Sequence, residues 1–246
     1  MGAIYGWFSR LNDRTGVNFS IVYDAFDRHR FVAGLLMTLW LSAVSIALSL
    51  VLGVLGAWLQ GARTGAARRL ANGYVSAFRN TPPLIQLYFF YFGLGTVLPR
   101  LLGAGDRTVV GATTWAVVAL GLGAGAMNVE IFRSGIEAVP RTTLEAAEAL
   151  GYGRLAAYRH VVLPLAVRVC LPALTNNLVN LVKTTTLAYA IAVPELLYVS
   201  AQIWSDQLNV REMMAVLLVA YLLIVGAVVL VMGWVERALR IPGFGR

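Results

Sequence analysis

The sequence predicts an all-α membrane protein of about five transmembrane helices, with a polar helical element between the third and fourth spans. Three observations predict this fold class. Hydrophobic residues make up 59% of the chain and charged residues only 13%, with a mean hydropathy of +0.71; soluble domains are far less apolar. Several runs reach about 20 apolar residues, the length a helix needs to cross about 30 Å of hydrocarbon. Between two of those runs lies TTLEAAEALGYGRLAAYRHVVLP, from Thr142 to Pro164. It is polar and helix-prone, and belongs in water.

Taken in order, residues 1–30 mix charges (Arg10, Asp13, Arg14, Asp24, Asp27, Arg28, Arg30). They read as a water-exposed extracytoplasmic tail, with Tyr5, Trp7, Phe8 and Phe19 placed to touch the membrane interface. No basic segment leads into an apolar core there, so no cleaved secretory signal is expected. The first span covers about Phe31 to Gln60 and is followed by the basic loop GARTGAARR. The second covers about Tyr74 to Leu98, with Pro82 and Pro83 near its start, where helices tolerate proline. A short loop, Arg100 to Arg107, leads to the third span, about Val109 to Ile131.

Apolar sequence resumes at Val161 and runs to about Leu197, interrupted by Pro164, Pro172 and Pro194. That is too long for one straight span. It predicts an elbow, one long span, and a short re-entrant or kinked piece near Pro194. A polar loop, SAQIWSDQLNVRE, precedes the last span, about Met213 to Val235. Residues 31–240 thus form the membrane domain, with the polar element at 141–160, and residues 241–246 form a C-terminal tail. The arginines concentrate in the first loop (Arg63, Arg68, Arg69, Arg79), the polar element (Arg141, Arg154, Arg159) and the C-terminal end. The arginine-rich side is cytoplasmic by the positive-inside rule. This puts the N-terminus outside and the polar element and C-terminus inside.

Composition excludes several classes. A lone Cys170 permits no internal disulfide, and with only His29 and His160 no metal site is expected. The formal charge of +8 is scattered between apolar runs rather than gathered in a patch, so no nucleic-acid partner is expected. The string GLGAGA lies inside a span with no preceding strand and is not a dinucleotide loop. Gly121 and Gly125 fit G-x-x-x-G, which permits close helix approach.

The polar element carries its own start and stop signals. Thr142 and Glu145 fit a capping box, predicting a helix from Thr143 through EAAEAL. Gly151 suits the left-handed position that ends a helix. A second short helix, about Arg154 to His160, leads back to the membrane. Its small residues (Ala146, Ala147, Ala149, Gly151) make a face that another protein can grip.

Glu145-Ala146-Ala147, three residues to Gly151, nine more to Val161, then Leu163-Pro164, is a specific spacing. It resembles the EAA motif of permease subunits of binding-protein-dependent ABC importers. FRNTPPLIQLYFFYFGLG, VEIFRSGIEAVP and LPALTNNLVNLVKTTTLAYAIAVPELL resemble segments of the polar amino acid permease subfamily (histidine, glutamine and glutamate type). The resemblance runs from about Gly34 to Arg240. It departs at Thr142-Thr143, where Gly-Gln is usual, at FRN in place of FRG, and in the three threonines after Lys183.

The resemblance implies a type I importer permease fold in a bacterial inner membrane. It implies a dimer with a second copy or a homologous permease, and ABC ATPase subunits docked on Glu145, Ala146, Ala147 and Gly151. An external binding protein would deliver the amino acid substrate. The chain has no G-x-x-x-x-G-K-[ST]. It is expected to be no enzyme and to hold no cofactor, with ATP and magnesium on the partner ATPase.

Polar residues inside the spans mark a candidate path. Asn176, Asn180, Lys183 and Thr184 recur at helical spacing and share a face. A lone lysine at mid-span costs about 2.5–3.5 kcal/mol on insertion scales, so Lys183 must face a wet cavity or a partner. Glu195 follows one kink later. Such a face would line a path for a zwitterion. The asparagines and threonine equally serve as glue between helices, and Lys183 equally pairs with Glu195 or a carbonyl. Glu130 and Arg133 fit a structural ion pair. Two neighbouring readings stay open: the same machine for an opine, a betaine or a sulfur compound, and a stand-alone channel or secondary transporter. A membrane-embedded enzyme finds least support, since the spans hold no catalytic cluster.

Overall fold

A computed structural model describes residues 2–62, 64–103 and 109–239, with side chains from Tyr5 onward. The tail at 241–246 and part of the loop before the third span lie outside the described residues. Five helical runs are long and apolar enough to cross a membrane: Ala25–Gln60, Pro83–Leu101, Ala112–Glu137, Arg154–Ile191 and Val210–Ala238. No strand occurs among the described residues. The chain divides into two compact units, one of residues 1–45, 87–118 and 182–226, the other of residues 46–86, 119–181 and 227–246.

The first unit ties down the N-terminal segment. The N-terminal segment is largely helical: it forms α1 (Gly2–Thr15), α2 (Ser20–Tyr23) and the start of α3 (Ala25–Gln60). Hydrogen bonds fasten them to the chain near residue 210. Asn18 donates its backbone N–H to Glu212 Oε1 (3.3 Å), and Asn209 Nδ2 donates to the Asn18 carbonyl (2.9 Å). Arg30 bonds Asp206 at 2.8 Å. Burial, with Asp24 and Asp13 nearby, raises the pKa of the Tyr23 hydroxyl. It therefore stays protonated and donates to Asn18 Oδ1 (2.6 Å).

The supposed polar loop after Pro194 is a helix, α11 (Leu196–Gln207), followed by α12 (Val210–Ala238). Its inner face, Val199 and Ile203, packs with Met213, Ile21 and Phe31. Alternation of apolar with polar residues at helical spacing hid this face within SAQIWSDQ.

In the second unit the basic loop is also helical. Residues Gly65–Arg79 form α4, which buries only Ala71 and Val75 and exposes Arg68, Arg69 and Arg79. The second span therefore begins at Pro83, not Tyr74. It comprises α5 (Pro83–Tyr88), a π-helical stretch (Phe89–Leu94) and α6 (Gly95–Leu101). The break has a physical cause: consecutive prolines push the residues before them out of the helical region. Gln86 repairs the exposed carbonyls, its Nε2 donating to Phe78 O (2.8 Å) and Thr81 O (3.0 Å).

Helix α7 (Ala112–Glu137) lies against α3 with almost no gap. A Cβ on Gly56 would stand 2.3 Å from Val129 Cγ2, and one on Gly121 2.5 Å from Leu48 Cδ2. The G-x-x-x-G pattern is thus a true close approach, matched by Gly53 and Gly56 on α3. Helix α10 (Leu163–Thr184) joins through polar bonds. Asn177 Nδ2 donates to Asn128 Oδ1 (2.8 Å) and to Ala124 O (3.0 Å), and Asn128 Nδ2 donates to Ser49 Oγ (3.1 Å). Pro164 and Pro172 sit within this helical run without ending it. The real interruption comes after a 3-10 stretch (Thr185–Ile191), where Ala192 is left-handed.

Gly56→Ala is expected to lower the thermal stability of the purified protein by about 1–3 kcal/mol, the usual cost of overpacking. Gly226→Ala, with nothing within 4 Å of the added carbon, should leave it unchanged. Equal melting temperatures for the two variants would refute the close-approach account.

Candidate functional site

The polar element folds as α8 (Arg141–Ala149) and a single turn α9 (Arg154–Ala157), which passes through a π-helical turn (Tyr158–Val162) into α10. The capping box does not form. Pro140, with φ −59° and ψ 139°, is the N-cap, and no side chain caps the helix. The helix starts at Arg141, earlier than the sequence suggests, because proline presets the entry geometry. Thr142 thereby falls inside the first turn, out of capping position. The helix stop is as expected. Gly151 has φ +86°, and its N–H bonds Glu148 O (3.0 Å) while Tyr152 N–H bonds Ala147 O (3.1 Å). These two bonds define a Schellman motif.

Of the residues assigned to docking, Glu145, Ala146 and Gly151 are exposed. Ala147 is only 4% exposed, and Ala157 in the following turn is 0% exposed. Two residues that the motif does not include stand out instead. Leu150 is 81% and Leu155 83% exposed, on either side of the Gly151 turn. Large aliphatic side chains bared in an otherwise polar segment were the available signal, and the emphasis on alanine passed over it.

The polar face of α10 is split. Asn176, Asn180 and Lys183 are exposed and Thr184 is half-buried, whereas the neighbouring Asn177 is buried in the helix-joining bonds described above. Lys183 and Thr186 line an open cavity of about 330 Å³ with Tyr221, Leu218, Leu222 and Val225. No ion pair holds Lys183 among the described residues. Glu195 does not join that face. It is fully buried and caps α11, Oε2 accepting from Leu197 N–H (2.9 Å) and Oε1 from Tyr198 N–H (2.8 Å). Tyr221 OH donates to Oε2 as well (3.1 Å). Its carboxylate is committed to folding, and it leaves Lys183 without the partner suggested for it. Glu130 and Arg133 are 4.0 Å apart, while Arg133 binds Glu137 more closely at 2.8 Å.

Residues 49–241 match the model of the family described as binding-protein-dependent transport system inner membrane component. The chain belongs to that family. The permease is 33% identical to the octopine transport system permease protein OccM of Rhizobium radiobacter, over 81% of this chain and 83% of that protein. It is 31% identical to the glutamate/aspartate import permease protein GltJ of Escherichia coli K12, over 81% and 86% of the two chains. Its fold matches a crystal structure of an amino acid ABC transporter with histidines at TM-score 0.75 and 27% identity, covering 86% and 94%. A chain of the inward-facing MetNI methionine ABC transporter shares the fold at TM-score 0.66 and 23% identity, covering 86% of the permease and 96% of that chain. The chain is therefore a membrane-embedded permease subunit of an ABC importer, with the type I permease fold, and an inner-membrane component rather than an enzyme.

Glu195→Ala leaves two helix-start N–H groups unsatisfied and is expected to destabilise the protein by about 1–3 kcal/mol. Lys183→Met, at an exposed site, should change stability by less than about 0.5 kcal/mol. Thermal unfolding of both variants in one detergent checks the ranking; the reverse order would return Glu195 to the path.

Proposed function

We propose that the permease carries a polar amino acid, delivered by an external binding protein and driven by ATP hydrolysis on separate ABC ATPase subunits. The observation that carries this reading is the docking element. A polar element with the EAA spacing, closed by a Schellman turn at Gly151, leaves Glu145, Ala146, Leu150 and Leu155 exposed, where a partner would meet them. Two bared leucines flanking one turn of a polar segment suit cover by another protein. ATP and magnesium would sit on that partner. The permease would work as a dimer, with a second copy or a homologous permease, around a path to which Asn176, Asn180, Lys183 and Thr184 contribute. The N-terminus would lie outside, and the docking element and C-terminus in the cytoplasm. For the ATPase to drive transport, it must bind the two permease states with different affinity.

The amino acid reading draws support from the relatives named above, which import glutamate and aspartate or belong to an amino acid transporter. An opine is the second reading, favoured by the octopine relative at 33% identity. Purifying the complex, identifying its companion chains and measuring which solutes stimulate ATP hydrolysis with the cognate binding protein separates the two. Stimulation by octopine alone would replace the first reading with the second. Transport that persists in liposomes with no ATPase would overturn both.

Charge reversal at the docking surface gives a direct test. Glu145→Arg and Leu155→Asp should each reduce co-purification of the ATPase about tenfold or more, as losing about 1.4 kcal/mol or more of binding does. Membrane insertion should be unaffected. Undiminished ATPase attachment in both variants would remove the assignment. Lys183→Met should slow solute-stimulated ATP turnover while the complex keeps its subunits and melting temperature. Wild-type turnover in that variant would leave Lys183 as a packing residue.

A further inference from the structure

The second unit holds a polar groove that the transport reading does not use. It is formed by the end of α3 (Gln60), by α4 (Arg68, Asn72, Ser76, Arg79), by the C-terminal part of α7 (Glu130, Arg133, Glu137) and by Tyr158. Two open cavities of about 340 Å³ each share Gln60, Asn72 and Arg133 in their walls. Each is large enough for a small solute.

The groove carries both signs of charge, and the ion pairs made by Glu130 are slack, whereas Arg133 is held more closely by Glu137 at 2.8 Å. Glu130 is reached by Arg79 at 3.4 Å and by Arg133 at 4.0 Å, against about 2.7–2.9 Å for a well-made charge-assisted bond. Gln60 Nε2 donates to Glu130 Oε1 (3.2 Å) and to Asn72 Oδ1 (3.1 Å). This pair of acceptors fixes the amide orientation, since the flipped form would set oxygen against oxygen. The Gln60 Oε1 atom is then shielded from solvent with no hydrogen-bond partner. Partly exposed, stretched Arg–Glu pairs contribute little to stability, so a ligand bearing both charges displaces them at small cost. Its ammonium would gain Glu130, and its anion would gain Arg79 and the Arg133 nitrogens that Glu137 does not hold.

We propose that this groove binds a compact zwitterion, with a cation and an anion a few bonds apart. That chemistry has two sources: a free α-amino acid, or the headgroup of phosphatidylethanolamine. Tyr158 opens the π-helical turn that follows the docking element, so the occupied groove would abut the segment that the ATPase holds. Only its link to import rests on the amino acid reading; the binding itself does not.

The native thiol, Cys170, is 4% exposed, so Ser76→Cys supplies a reporter thiol in the groove wall. The intact complex, in nanodiscs of phosphatidylcholine alone, is labelled with a maleimide. A mixture of the protein amino acids other than cysteine, whose thiol would consume the maleimide, is then added at millimolar concentration. In a second arm, phosphatidylethanolamine is included in the disc. A ligand at about ten times its Kd should slow labelling about tenfold, in the first arm for a free solute and in the second for a headgroup. N-acetyl amino acid amides, which lack both charges, should not protect. Arg133→Gln, or Arg79→Gln where the first variant fails to assemble, should abolish protection. Equal labelling in both arms and the bare disc, or equal protection by the uncharged amides, would overturn the proposal. Binding-protein-stimulated ATP turnover in the same discs reports on the importer reading separately, so loss of one result does not imply loss of the other.

Discussion

The packing of α3 against α7 is the constraint on which the second unit depends. Gly53 and Gly56 on one helix and Gly121 and Gly125 on the other bring the backbones so close that an added carbon would overlap its neighbours. In lipid, helices gain nothing by hiding apolar surface from one another, because the surrounding tails are equally apolar. Close van der Waals contact and interhelical hydrogen bonds supply the association instead. The glycines supply the first, and the chain Asn177–Asn128–Ser49 supplies the second. Asn128 is fully buried, and its amide nitrogen and its amide oxygen each make a hydrogen bond. A polar network of this kind, once fully paired, fixes the register of three helices.

The register then decides what α10 shows. With Asn177 turned into the network, Asn176 and Asn180 on the same helix are turned away from it, and Lys183 follows at the same spacing. The exposed polar face is thus a geometric consequence of the buried one. The same helical run begins at Arg154, immediately beyond the Gly151 turn. A widened turn at Tyr158–Val162 lies between the docking element and α10. Such π-turns leave a backbone carbonyl without its usual partner and often occur at functional junctions. Here one falls where a pull on the knob would enter the span.

Much of this was legible in the sequence, for reasons that differ by element. Span number followed from apolar length, since little else keeps long apolar runs in a chain of this size. Gly151 was legible because only glycine takes a left-handed stop without strain. The start of α8 was misread because Thr142 and Glu145 satisfy a pattern that Pro140, two residues earlier, pre-empts. The start of the second span was misread because Tyr74 and Val75 look apolar, yet they form the inner face of an amphipathic helix that ends at Arg79. Helix α11 was hidden by its polar outer face.

Glu195 shows most clearly why charge inside an apolar run is an incomplete signal. Its place in an apolar run directly after Pro194 suits a path residue and a helix cap equally well on sequence alone. What separates them is where the lone pairs go, and that depends on Tyr221, which is 26 residues away in sequence. A carboxylate with two backbone N–H groups and a phenol has little capacity left for a passing solute. Lys183 is the opposite case. It lines an open cavity with Tyr221 and Thr186, and no carboxylate pairs with it among the described residues. Keeping a cation there is costly in lipid, so it must be hydrated or occupied. An anionic group on the transported solute would satisfy it more fully than water does. On the path proposed above, the lysine rather than the glutamate is the residue on which substrate charge would act.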